Sequence, residues 1–261
     1  MNIDRTTIAV RERGLFELFD LALLVGRRHF WQILALMVVS TAPFIAFNWW
    51  LLSGRELDQW WTWYPLLLLL AVQSPFATAP LTAYLGTALF DQHPRIGVAL
   101  RQALATWWQL LLIGLYRGLL SLLPLLLVLS PPHAVEVAML ERGRLRATWR
   151  RANALREVWT GEWILHLLVV APLFVIGVTS LIDAVLMVSS VLAHAEVAYP
   201  DEHWRHFNPG SSLAPHVAAW VMLTYLAVVR FLSYIDLRTR REGWAVDLAL
   251  RRAAERLEPG T

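Results

Sequence analysis

Three ionisable side chains interrupt long apolar runs: Arg117, Glu136 and Asp183. A charged group at membrane depth costs about 2.5–3.5 kcal/mol on insertion scales, so it marks a structural pair, a proton path or a substrate site. Arg117 lies in Gly114-Leu115-Tyr116-Arg117-Gly118, whose two glycines stand four apart, the spacing that lets helices pack closely. It is expected to reach the outer headgroups or to pair with Asp183, which falls near the same face. Glu136 and Glu141 sit near the inner end of an apolar run, at the depth of Arg27, Arg28 and Arg230, and a structural pair is expected among them. A substrate or proton path through these groups is the alternative.

Other chemistries find little support. Cysteine and lysine are both absent, which removes thiolate catalysis, disulfides, Cys-type metal clusters and Schiff-base or P-loop lysines. His203 and His206 form H-x-x-H beside Asp201 and Glu202, but a metal needs three or four converging ligands, and Pro200 and Pro209 argue against a helix there. His166 and His194 read as hydrogen-bonded packing residues. Ser121 and Ser180 lie in apolar runs, where a serine usually bonds back to its own helix. The chain carries no G-x-S-x-G, H-E-x-x-H or phosphate-cradling glycine loop. No enzymatic activity, metal or cofactor is expected.

The elements that must position these groups follow from composition. The 261 residues are 57% hydrophobic and 16% charged, with a mean hydropathy of +0.48. A soluble domain carries about 25% charged residues, so part of this chain's solvent must be lipid. Crossing a hydrocarbon core of roughly 30 Å takes about 20 apolar residues. Residues 30–53 and 65–90 satisfy this directly. Residues 104–140 are too long for one helix, and a hairpin of spans 104–122 and 124–140 resolves the excess, with Pro131 and Pro132 kinking the second arm. Residues 163–182 and 213–234 complete about six spans. Residues 184–199 either extend the fifth helix or lie along the interface. The expected fold is all-α: a single polytopic transmembrane helical bundle over 1–261, with cytoplasmic amphipathic helices. Residues 1–29 are too mixed in charge to read as a cleavable signal peptide.

Arginine placement supports the hairpin. All 23 cations are arginine, and cytoplasmic loops carry an excess of them. The hairpin puts Arg142, Arg144, Arg146, Arg150, Arg151 and Arg156 on the same side as the N-terminal region and the tail. That predicts a bacterial inner-membrane protein with both termini cytoplasmic. The apolar face of Leu15, Phe16, Leu18, Phe19, Leu23 and Leu24, the basic segment 142–158 and the segment 244–257 read as amphipathic helices on the anionic leaflet. A docking surface for a protein partner is the other use of such helices. No soluble basic domain suggests nucleic-acid binding. Pro43, Pro75, Pro80 and Pro172 fall inside spans, a weak sign of the broken helices that transporters use.

The tail runs Tyr234-Ile235-Asp236-Leu237-Arg238-Thr239-Arg240-Arg241-Glu242-Gly243-Trp244. Its aromatic-x-Asp-x-Arg-x-Arg-x-Glu-Gly pattern, together with Glu136, Leu140-Glu141-Arg142 and the basic stretch that follows, resembles a group of uncharacterised bacterial multi-pass membrane proteins. Their layout is similar to the membrane domain found with some glycerophosphodiester phosphodiesterases. The resemblance implies about six helices and a bacterial inner membrane, and it implies no activity. In helical geometry Asp236 faces Arg240 and Arg238 faces Glu242, pairs that contribute only a few tenths of a kcal/mol when exposed.

The sequence is therefore read first as a membrane scaffold or subunit whose basic inner face contacts anionic headgroups or a partner protein. A small secondary transporter or permease is the alternative. A topology reporter fused after Arg146 is expected to register the cytoplasmic side; an outer-side signal would remove the hairpin.

Overall fold

The computed structural model describes residues 14–54, 59–89, 91, 94–123, 126, 129–141, 143–158, 160–193 and 206–242. Among these the chain is all-helical. In hydrocarbon a backbone must satisfy its own N–H and C=O groups, and the α-helix does this within one segment. The helices are α1 (Leu15–Arg28), α2 (Phe30–Leu52), α3 (Gln59–Ala88), α4 (Ile96–Ala105), α5 (Trp107–Ser121), α6 (Ala134–Glu141), α7 (Leu145–Val158), α8 (Thr160–Ala193) and α9 (Ala214–Glu242).

Four helices are long and apolar enough to cross a bilayer: Phe30–Leu52, Trp61–Ala88, Leu168–Val188 and Ala214–Thr239. A fifth crossing arises if α4 and α5, which meet at a 69° bend, form one broken span. The expected span at 104–122 is therefore divided at Thr106: Leu104 and Ala105 end α4, and α5, 15 residues long, makes a crossing only together with α4. The break has a local cause: the Thr106 hydroxyl bonds back to the carbonyls of Gln102 and Ala103, at 3.0 and 3.1 Å, and the chain turns there. The fifth helix extends to Ala193, so 184–193 continue it; the rest of that segment lies outside the described residues, as do the expected helix at 244–257 and the H-x-x-H residue His203.

The expected fourth span, 124–140, is corrected. Among the described residues of that segment the α-helix is Ala134–Glu141, and eight residues rise about 12 Å, less than half the hydrocarbon thickness. Pro131 and Pro132 precede α6 instead of kinking a longer helix. Proline offers no N–H donor and biases the residue before it away from helix. The Tyr64 hydroxyl, at the start of α3, donates to the Leu122 carbonyl at 3.0 Å, while Leu140 packs on Gly86 near the end of α3. Leu122 thus lies near the start of α3, and Leu140 near its end.

Burial sorts the helices. Two thirds of the crossing windows of α3 and α9 are buried, against 17% for α2 and 11% for α8. The first two form the core, and the others turn most of their surface outward. Helix α3 is the axis, packed by α2, α4, α5, α6 and α9. Small residues allow this crowding. Gly114 and Gly118 lie directly against Val72 of α3, so the glycine spacing serves α3–α5 contact. Amides add a second tie: Asn48 of α2 and Gln73 of α3 exchange hydrogen bonds at 2.9 and 2.8 Å, both side chains buried. Gly54, at φ 74°, turns the chain between α2 and α3.

The ends differ. One carries the α2–α3 turn, where the Gly54 N–H donates to the Gly210 carbonyl and Trp49 meets His216 edge-on. At the other, α3 packs on α4 and α6 on α7, and the end of α1 leads into His29. There His29 Nδ1 and the Tyr84 hydroxyl are hydrogen-bonded at 3.1 Å, and burial beside Arg28 holds the imidazole below its ordinary value.

A Cβ at Gly114 would collide with the Val72 backbone carbonyl, which cannot rotate away. Gly114→Ala is expected to destabilise the protein by about 1–3 kcal/mol, the usual range for overpacking. Gly97→Ala, with open space around it, should leave the melting temperature in detergent unchanged. Equal melts for the two variants would contradict the close α3–α5 contact.

Candidate functional site

Helix α6 is enclosed by protein: Ala134, Val135, Glu136, Val137, Ala138 and Met139 are all buried. A helix apolar on every face belongs in a core, yet this one carries a carboxylate in its first turn. Glu136 is fully buried, and its Oε1 accepts a hydrogen bond from Arg230 Nε at 2.6 Å. The same guanidinium donates through Nη2 to the Thr78 hydroxyl at 3.1 Å, and that hydroxyl donates to the Ser74 carbonyl at 2.7 Å. One arginine of α9 thereby joins α6 to α3. The other carboxylate oxygen, Glu136 Oε2, is buried without a hydrogen-bond partner.

Arg117 completes the inner cluster. From α5 it donates to the Pro132 carbonyl at 3.3 Å, just ahead of α6, and it lies within electrostatic reach of Glu136 and Arg230. The expected pairing with Asp183 is therefore replaced. Asp183 stands on an exposed face of α8, while Arg117 turns inward because the chain before α6 presents a carbonyl that no helix satisfies.

A second cluster lies five residues along. Glu141 Oε1 accepts from the Tyr234 hydroxyl at 2.9 Å and from Arg151 Nε of α7 at 3.4 Å. Arg238 Nη1 reaches the same tyrosine oxygen at 3.5 Å. Arg230, Tyr234 and Arg238 stand four apart and so share one face of α9. The ring of His133 lies 5.8 Å from that of Tyr234, between the two clusters. Asp236 is buried on α9. Arg240 and Glu242 lie at the end of α9, and their side chains, with the expected i,i+4 pairs, lie outside the described residues.

The structure thus brings together Arg117, Glu136 and Arg230, joins Glu141 to Tyr234 and Arg151, and places Asp183 on the exposed face of α8. Thr78, Tyr234, Arg151 and the Asn48–Gln73 pair escaped the sequence reading. Two stripes carried the signal: Ser74, Thr78 and Thr82 on α3, and Arg230, Tyr234 and Arg238 on α9, each at four-residue spacing. Chemically, the arrangement offers a fixed ion pair with an additional guanidinium, and a buried carboxylate oxygen without a hydrogen-bond partner. Among the described residues no group of three or more His, Asp or Glu side chains converges as metal ligands do.

Compared with known proteins, the chain matches no family model, no curated protein and no solved structure.

Removing one partner of a buried pair strands the other charge, at a cost of about 3–5 kcal/mol. Glu136→Gln and Arg230→Gln should each lower thermal stability in detergent by an amount of that order. The double variant E136L/R230M should recover most of the loss. A double variant as unstable as the two single losses summed would show that the groups do not act as a pair.

Proposed function

We propose that this chain is a non-enzymatic multi-pass membrane protein that acts as a scaffold or subunit of a membrane assembly through its basic end. The supporting observation is how the charges are used. Inside the bundle the ionisable groups engage one another and the backbone, as Arg230 does with Glu136 and Thr78, and Arg117 with Pro132. At the end where α6 meets α7, Arg144, just ahead of α7, and Arg146 and Arg150 on that amphipathic helix are exposed. Interior charge spent on clamping and exterior charge left open suit a docking role better than a reaction centre.

The same asymmetry argues for orientation. Apart from Arg117 and Arg230, the arginines whose side chains the structure describes cluster toward this one end, and arginine excess marks the cytoplasmic side. We place the protein in the bacterial inner membrane with both termini cytoplasmic, and we assign it to the group that its tail pattern resembles.

One observation favours a second reading, a small secondary transporter. Residues 130–133, ahead of α6, are buried without being α-helical, and the buried Glu136 Oε2 in the first turn of α6 has no hydrogen-bond partner. Broken helices beside buried charge are how many transporters build binding sites.

A gentle-detergent pull-down of the tagged full chain separates the two. A stoichiometric partner that is lost when Arg144, Arg146, Arg150 and Arg151 are neutralised is expected. A partner-free preparation, with substrate flux abolished by Glu136→Gln in a variant that remains folded, would replace the scaffold reading with transport.

A further inference from the structure

Between α6 and α7 the bundle leaves a cavity of about 460 Å³. Its walls divide by chemistry. Val137, Ala147 and Ala154 are apolar, while Thr148, Arg150 and Arg151 present a hydroxyl and two guanidiniums. Glu141 also lines it, but its carboxylate is held by Tyr234 and Arg151. With one carboxylate against two arginines, the cavity carries net positive charge. Helix α7 is fixed in place beside it: Thr148, Ala152 and Leu155 are buried against the bundle, and Trp149 meets Tyr116 edge-on at 4.6 Å.

We propose that this cavity binds the phosphate oxyanion of an anionic phospholipid headgroup. Guanidiniums match phosphate oxygens with paired hydrogen bonds, which a compact ammonium cannot do. The apolar wall beside the basic rim suits the glycerol and ester part of a lipid better than a free anion. The position is also right, since basic pockets at the cytoplasmic ends of membrane helices lie where anionic headgroups are concentrated. The inference rests on the reading of the basic end as the face that meets anionic lipid, and it adds a discrete site to that reading.

The test uses the purified full chain in mild detergent, with native mass spectrometry to count bound lipids. Phosphatidylglycerol is titrated against phosphatidylcholine, and inorganic phosphate serves as competitor. One phosphatidylglycerol should bind saturably, and phosphatidylcholine should not replace it. Arg150→Gln should weaken retention about tenfold, the effect of losing one charge-assisted bond. Ala154→Phe, which fills the cavity without altering charge, should weaken it at least as much. Arg144→Gln/Arg146→Gln removes two exposed charges on and just ahead of the same helix and should change it less than about twofold. Equal loss in that control, retention unchanged by Ala154→Phe, or equal binding of phosphatidylcholine would overturn the site. Displacement by inorganic phosphate at matched concentration would overturn the lipid assignment in favour of a free-anion site. No partner protein takes part in this measurement, so its outcome is separable from that of the pull-down.

Discussion

The ion pair between Glu136 and Arg230 sets the terms for the rest of the bundle. Each group alone would be expensive at membrane depth, so neither α6 nor α9 can settle there without the other. The guanidinium also takes in the Thr78 hydroxyl, which makes the requirement three-helical. Lipid tails are as apolar as leucine, so hydrophobicity gives helices in a bilayer little reason to associate, and close packing and polar contacts must do so. The Asn48–Gln73 exchange ties α2 to α3 in the same manner, and Gly114 and Gly118 bring α5 against α3. The pair need not make the protein more stable than a well-packed apolar substitute would. What it fixes is which faces meet.

The break between α5 and α6 follows from the same constraint. Non-helical backbone at membrane depth is tolerated where protein surrounds it and supplies the hydrogen bonds that a helix would have made. Here side chains do so. Tyr64 donates to Leu122, and Arg117 donates to Pro132. An arginine that looks like a transport residue in the sequence is, in the fold, a donor to a stranded carbonyl. This also explains why α6 is short: it begins only after two prolines whose rings limit the preceding chain, and it ends where Glu141 meets Tyr234 and Arg151.

The sequence made the helices themselves legible. The apolar stretches at α2, α3 and the two late spans needed only length and hydropathy to be seen, and arginine placement was the ground for expecting a hairpin over 104–140. What could not be seen was the irregular return. Leucine-rich residues ahead of Pro131 have the same apolar character whether or not they lie in a long helix, so composition cannot separate the two. The pairing of Arg117 failed for a related reason. Its partner is a backbone carbonyl exposed by the break, and side-chain chemistry alone offers no signal for that. Glu136 with Arg230 could be anticipated from shared depth, whereas Thr78 is visible only when Ser74, Thr78 and Thr82 are read as a stripe.

The distribution of charge between interior and end bears most directly on function. Inside, Arg117 and Arg230 each have an acceptor supplied by the fold, and a committed guanidinium is poorly placed to exchange ligands. On and just ahead of α7 the arginines divide: Arg151 is drawn to Glu141, while Arg144, Arg146 and Arg150 stay exposed. An exposed guanidinium keeps its hydration, so it contributes little to folding and remains available to an anion. The buried side of the same helix is held by Thr148, Ala152 and Leu155, so binding at its outer face need not disturb the core. A membrane protein built this way can meet lipid or partner at one end without moving the buried ion pair on which its assembly depends.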